Sequence, residues 1–324
     1  MPQESTDKPV CSIYDYIKMN TKDGSLPEGF RIPWLKDMWA PGAKDGMALN
    51  HMIPIEWAQD PERDRKILEA LKLMASEDNG ERINEVLAIF EELDLKDSIV
   101  RLFGPIVRII VAHQNEIDLQ TLLQFGDYLI CNGVSLLAVK VGLSVISAFK
   151  ASFVEEVMTE LGVYDEFTYY AARTLSNGFW LNGNEELFAL ARNTKGWGRI
   201  NAVEWLEPTT QEIRDWLLYE GANNTILPQY SADICLQKAE AEKRLDSALS
   251  VEEYEAIGKL IREALEEDGP CAGVTDGERV LPKYISKAKE FKADPEAVQM
   301  ILDSADKYSL GQNVIAAAKQ FAGE

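Results

Sequence analysis

Histidine and cysteine are scarce in this chain: two histidines, His51 and His113, and four cysteines, Cys11, Cys131, Cys235 and Cys271, in 324 residues. The cysteines stand too far apart for a CxxC redox or zinc pair and are too few to frame a fold of this length with disulfides. Neither histidine lies in an HExxH pattern, and several helical segments separate the two, so local spacing builds no metal site. Also missing are the glycine fingerprint of a dinucleotide site and a haem-attachment motif. No cofactor, metal-ligating residue or catalytic residue is therefore expected. The first residues, "MPQESTDKPVCSIYDYIK", lack the basic segment and apolar core of a secretory signal, and with reduced thiols they lead to the expectation of a cytoplasmic protein.

Positive charge is the next shortage. Thirty-three Lys and Arg face 54 Asp and Glu, a formal charge of −21. Such a surface repels phosphate backbones, and no basic patch reverses the field locally, so nucleic acid is not an expected partner. A protein partner should present a basic or mixed surface. Hydrophobic content of 46%, with seven Trp, eleven Tyr and eleven Phe, is ample for a packed interior. One apolar run, "GVSLLAVKVGLSVISAF" at 133–149, is short for crossing a bilayer and carries Lys140 at its middle. It reads as a buried helix, and no membrane partner is expected.

Runs of alternating apolar and polar residues are lacking as well, which excludes a substantial sheet and leaves an all-α chain. Residues 1–57 mix Pro, Gly and Trp without a sustained helical period and read as an irregular aromatic arm or cap. Its Trp34, Trp39 and Trp57 should pack on the first helices. From Asp60 the helices follow one another. Asp60 and Pro61 form an N-cap and first turn, with Ile67, Leu68, Leu71 and Met74 at helical intervals. The next helix is expected from about Asn79. Residues 58–268 form the helical array in this reading. Residues 269–324 hold a loop, "CAGVTDGERV" with its Asp276-Gly277 turn, and three capping helices.

The most informative stretch is 184–221. "NEELFALARN" makes one helix, "TKG" a turn, and "WGRINAVEWL" a second helix ended by Pro208; Thr209 and Glu212 match a capping box for a third. On the second helix Trp197, Ile200, Val203 and Leu206 share one side, and Gly198, Ala202 and Trp205 the other. Both sides are apolar or small, as a helix sandwiched between neighbours requires. Trp205 is expected to be a packing residue.

"LFALARNTKGWGRINAVEWL" resembles HEAT repeats, the α-solenoid family related to armadillo repeats, over about residues 180–220. The resemblance implies an α-solenoid of antiparallel helix pairs and a non-catalytic scaffold that binds a protein partner through its concave face. It also implies that Arg199 bridges to an acidic or carbonyl group of an adjoining turn. The stretch is similar, too, to a segment of bacterial helical-repeat proteins, some of which carry the label limonene hydroxylase.

Candidate binding residues follow from this helix. Asn201 and Glu204 are its polar groups between the apolar sides, and Lys195 and Arg199 flank a Gly-Trp-Gly turn whose free amides could cradle an anion. The alternative reading is a small-molecule-binding protein or enzyme, for example with hydroxylase activity, whose pocket lies between the N-terminal arm and the array, near His51. His113, at the end of "VRIIVAH", is placed to meet a helix C-terminal dipole. Cys131 and Cys235 read as buried thiols.

Overall fold

The computed structural model describes residues 8–35, 39–50, 60–76, 82–266 and 273–322. His51, Trp57, Asn79 and Cys271, singled out above, lie outside the described residues. Among the described residues the chain is all-α: nineteen α-helices and one π-helical turn, with β-pairing limited to an isolated bridge between Lys22 and Ser25. The chain divides into two compact units, Met1–Ala202 and Val203–Glu324.

In the first unit the N-terminal segment holds two helices where an irregular arm was expected. α1 (Ile13–Asn20) is capped by Ser12, whose side chain accepts from the Asp15 amide, and it buries Ile13 and Ile17. α2 (Ala43–Asn50) buries Ala43, Asp45, Gly46 and Ala48. A face made of glycine, alanine and an aspartate has no apolar stripe, so helical periodicity could not reveal it. The segment between them joins the core through aromatics: Tyr16 meets Phe30 and Trp34 at ring distances of 5.7 and 5.1 Å, and Phe30 meets Tyr164 at 5.6 Å. Trp34 donates to the Val134 carbonyl, whereas Trp39 is exposed.

Five helices follow. α3 (Pro61–Met74) starts as expected, with the Asp60 carboxylate accepting from the Glu62 and Arg63 amides. α4 (Ile83–Asp97), α5 (Ile99–Ala112), α6 (Leu119–Asn132) and α7 (Leu136–Ile146) share its core, with Phe90, Leu102, Ile106, Leu122 and Val145 at the centre. His113 occupies the C-cap position of α5 and pairs with Glu116 at 2.9 Å. Every residue of α7 from Ala138 to Ile146 is buried. The apolar run is thus a core helix, and no helix among the described residues is long and apolar enough to cross a membrane.

α8 (Ser152–Gly162), α9 (Thr168–Leu175), α10 (Gly183–Asn193) and α11 (Trp197–Trp205) complete the element order up to the division, which falls within α11. On α11, Trp197, Ile200, Ala202 and Val203 are buried, as are Asn201 and Arg199, and Leu206 just beyond its end. Glu204 is exposed and Trp205 half-buried.

In the second unit Thr210, not Thr209, caps α12 (Gln211–Trp216), its hydroxyl accepting from the Ile213 amide at 3.2 Å. α12 runs into the π-helical turn Leu217–Gly221, which packs on α13 (Gln229–Lys238). α14 (Ala241–Leu245) and α15 (Val251–Leu265) follow, the latter opened by a Ser250–Glu253 capping box. Four helices, not three, come last: α16 (Gly277–Ser286), α17 (Ala288–Phe291), α18 (Pro295–Asp303) and α19 (Gln312–Ala322). The Asp276-Gly277 pair starts α16, with Asp276 left-handed at φ 55°, and Lys292 at φ 54° closes the additional short helix. Tyr254 stacks on Tyr284 at 4.5 Å and on Phe291 at 5.0 Å.

Burial separates the two tryptophans of α11. Trp197→Ala should cost about 3 to 5 kcal/mol in chemical denaturation, the usual range for a buried large aromatic, and Trp205→Ala distinctly less. Equal losses would contradict the packing described here.

Candidate functional site

A lysine in the middle of an apolar helix needs partners, because an unpaired buried ammonium costs several kcal/mol. Lys140 is 4% exposed. Its Nζ lies 2.6 Å from Glu166 Oε2 and 2.8 Å from Asp45 Oδ2, and both carboxylates are as deeply buried. Three elements supply the group: α7 the lysine, α2 the aspartate, and the α8–α9 turn the glutamate. The Glu166 carboxylate is used twice, since Oε1 accepts from the Gly42 amide at 2.7 Å. Asp45 is held by charge more than by direction: among the described residues neither of its oxygens has a hydrogen bond of good geometry.

Two carboxylates against one ammonium leave the cluster a formal negative charge. Burial pushes the Asp45 carboxyl above its ordinary pKa, and Lys140 recovers only part of that shift. For Lys140 burial acts downward, but the charges of Asp45 and Glu166 outweigh it and hold the ammonium above its ordinary value. The buried Tyr170 hydroxyl has no hydrogen-bond partner among the described residues, and burial followed by the Asp45 charge raises its pKa. Phe103 packs edge-on against Tyr169 and Tyr170, both at 5.9 Å, walling the aromatic side.

The neighbouring residue of the same turn does a different job. Asp165 accepts from the backbone amides of Gly196 and Gly198, the Gly-Trp-Gly turn that opens α11. A Cβ at Gly198 would stand 2.5 Å from Asp165 Oδ1 and 2.6 Å from Thr168 Oγ1, so only glycine lets the carboxylate come this close. The amides that could cradle an anion at this turn are therefore used by the chain's own carboxylate. Burial and, more weakly, Glu166 push the Asp165 carboxyl up to about 6, against the downward pull of the two amides and Arg199.

Arg199 locks the other side of the turn. Its guanidinium donates to the carbonyls of Ala191, Arg192 and Thr194 at 3.1, 3.0 and 2.8 Å, closing the C-terminal end of α10. The device recurs. Arg101 donates to the Ala48 carbonyl near the end of α2, and Arg244 to Ala239 after α13. Lys238 donates to Val203, Glu204 and Leu206 at the end of α11.

Of the residues proposed from sequence, the structure puts Asn201 and Arg199 inside at 5% and 9% exposure and leaves Lys195 and Glu204 at the surface. Asn201 and Arg199 are thus buried on α11, and Arg199 is engaged with the end of α10. Sequence reasoning missed Asp45, Glu166, Asp165 and Tyr170. One signal was present: "VYDEF" at 163–167 sets two acids between aromatics in an interhelical turn, and Lys140 had no partner in its own helix. A cleft of about 440 Å³ in the second unit is lined by Glu240, Glu242, Lys243 and Asp246. Its charges are already engaged, Glu242 and Asp246 with Lys283, and Glu240 with Lys243.

Chemically, the Lys140 cluster can fix α2 and the α8–α9 turn against α7, and the Asp165 lock can fix the α10–α11 turn. Comparison with protein-family models finds no match, and comparisons with curated proteins and with solved structures find none either.

Removing one member of the cluster should expose its cost. Lys140→Met leaves two uncompensated buried carboxylates and should destabilise the chain by about 3 to 5 kcal/mol in denaturant titration. Asp45→Asn and Glu166→Gln added to it should restore much of that loss. A triple variant no better than Lys140→Met would show that charge is not what the lysine supplies.

The Asp165 lock has a pH signature. Its folded pKa of about 6 lies above the ordinary value of 3.8, so the folded state holds the proton more tightly. Its contribution is full below about pH 4 and is lost as pH rises through about 6. Stability of the wild type relative to Asp165→Asn should therefore fall by about 2 to 3 kcal/mol across that window, the linkage of a shift of about two pKa units. A difference independent of pH would refute the assignment.

Proposed function

We propose that this chain is a non-catalytic helical-repeat scaffold of the HEAT and armadillo type, built of antiparallel helix pairs, that takes up a protein partner on a concave helical face. One observation carries the reading: from α3 onward, helices within each unit lie mostly against helices close to them in chain order, whereas α1 reaches α6 and α8. In the first unit α3 meets α4 and α5, α7 meets α5 and α6, and α8 meets α9 and α10; in the second, α13 meets α14 and α15. Contacts between sequence neighbours are what a stack of short helical units requires. The use of the Gly-Trp-Gly amides, Arg199 and Lys238 to tie helix ends adds support, since it directs polar groups at joints between helices.

The partner is a protein with a basic or mixed surface, on the strength of the −21 formal charge. Glu204 is the exposed polar group of α11 and the contact this reading assigns to it. A cytoplasmic setting belongs to the same proposal.

The test uses the protein recovered with a tagged copy from its native cell, then purified. Its association rate should fall from low to high salt, because exposed charges are screened beyond about 8 Å at physiological ionic strength, and Glu204→Lys should slow it further. A salt-independent rate that Glu204→Lys leaves unchanged would remove α11 from the interface. A small apolar molecule as the bound species would sink the scaffold reading.

A further inference from the structure

Four Asn-Gly pairs stand in the sequence, at 79–80, 132–133, 177–178 and 182–183, and the last three fall among the described residues. Such a pair can modify itself, because glycine leaves its own nitrogen unshielded and lets the chain rotate until that nitrogen reaches the asparagine Cγ. The fold treats the three pairs differently.

Asn132 is the last residue of α6, and its side-chain amide donates to the Tyr128 carbonyl at 3.0 Å. Gly133 is buried, its carbonyl accepts from the Ile13 amide at 2.9 Å, and a Cβ on it would stand 2.3 Å from the Leu129 carbonyl oxygen. Asn182 precedes α10, whose first residue, Gly183, is buried with a Cβ position 2.4 Å from the Leu175 carbonyl oxygen. Rotation at either pair is blocked by neighbouring backbone. Asn177 and Gly178, in the turn between α9 and α10, are both exposed, and a Cβ on Gly178 would meet nothing within 4 Å.

The 177–180 turn is ordered all the same. Asn177 Oδ1 accepts from the Phe179 amide at 3.0 Å, and Trp180 Nε1 donates to the Thr174 carbonyl at 2.9 Å. The first of these bonds folds the asparagine side chain back over the residues that follow it. It also aims an N–H donor at the oxygen that gains charge when Cγ is attacked, which is how an oxyanion is stabilised.

We propose that Asn177–Gly178 is a self-modifying site of the folded protein, closing to a succinimide and opening to aspartate or isoaspartate. The Gly178 nitrogen gives its proton to hydroxide and forms a bond to Asn177 Cγ. The Cγ–Nδ2 bond breaks, and Nδ2 leaves as ammonia with a proton from water. A second water then opens the ring at either carbonyl, one opening leaving aspartate and the other isoaspartate, with an extra methylene in the main chain. Nothing is oxidised or reduced, and water is the co-reactant. Each conversion adds a negative charge to a turn that presents Phe179 and Leu181 to solvent. The chemistry is intrinsic to the chain and does not rest on the scaffold reading.

The wild type, held at mildly alkaline pH either folded or in concentrated urea, is sampled over time, digested with chymotrypsin and weighed by mass spectrometry. Cleavage after Phe179 puts Asn177 and Asn182 on separate peptides. In the folded chain the Asn177 peptide should gain about one dalton roughly tenfold faster than the peptides of Asn132 and Asn182, because only its backbone is free to rotate. In urea the three should convert at rates within about a few-fold of one another. Asn177→Gln, which would have to close a larger ring, should leave the peptide unchanged in mass. An Asn177 that stays intact in the folded chain while converting in urea, a folded-state rate at Asn132 or Asn182 equal to that at Asn177, or an undiminished gain in Asn177→Gln would each overturn the proposal.

Discussion

The first unit is organised around one buried ammonium. Lys140 lies in a helix with no polar partner of its own, and the ion must be neutralised inside the protein because water cannot reach it. The chain answers from two directions, with Asp45 on α2 and Glu166 in the α8–α9 turn. Buried ion pairs add little net stability against apolar packing of equal volume, but they punish every arrangement that separates the partners. The lysine therefore fixes which segments meet α7 rather than how tightly they meet it. Glu166 extends the constraint to the Gly42 amide, and its neighbour Asp165 extends it to the start of α11.

A second constraint comes from the ends of helices. Each helix leaves carbonyls without intrahelical partners, and a short helix has proportionally more of them. Arg101, Arg199, Lys238 and Arg244 meet such carbonyls from positions beyond the helix they close. A cation there also complements the negative end of the helix dipole. The cations so used are drawn from a chain with 33 Lys and Arg against 54 acids, so the surface is left strongly negative.

These two constraints bear on the proposed function. A scaffold needs rigid joints and an accessible face. Arg199 and the Asp165 lock supply rigidity at the α10–α11 turn, and the Asp45–Lys140 ion pair with the Gly46–Trp197 notch holds α2 in place.

Most of the helix boundaries were legible because they rest on local rules. Asp60 with Pro61 marks the start of α3, Ile67, Leu71 and Met74 mark its buried face, and the apolar sides of α11 announce a helix covered on both. Where local rules gave equivalent choices, as between Thr209 and Thr210, the boundary moved by one residue. α2 escaped because glycine and alanine faces carry no hydrophobic period. The Lys140 cluster escaped for a different reason: its members lie 95 and 26 residues from one another in order along the chain, at positions 45, 140 and 166, and electrostatic pairing has no sequence period at all. Composition, patterning and caps thus determined that this chain is all-α and acidic, with a lysine that had to be neutralised. Which carboxylates neutralise it, and which anion fills the Gly-Trp-Gly turn, only the tertiary structure decided, since both depend on how distant segments are brought together.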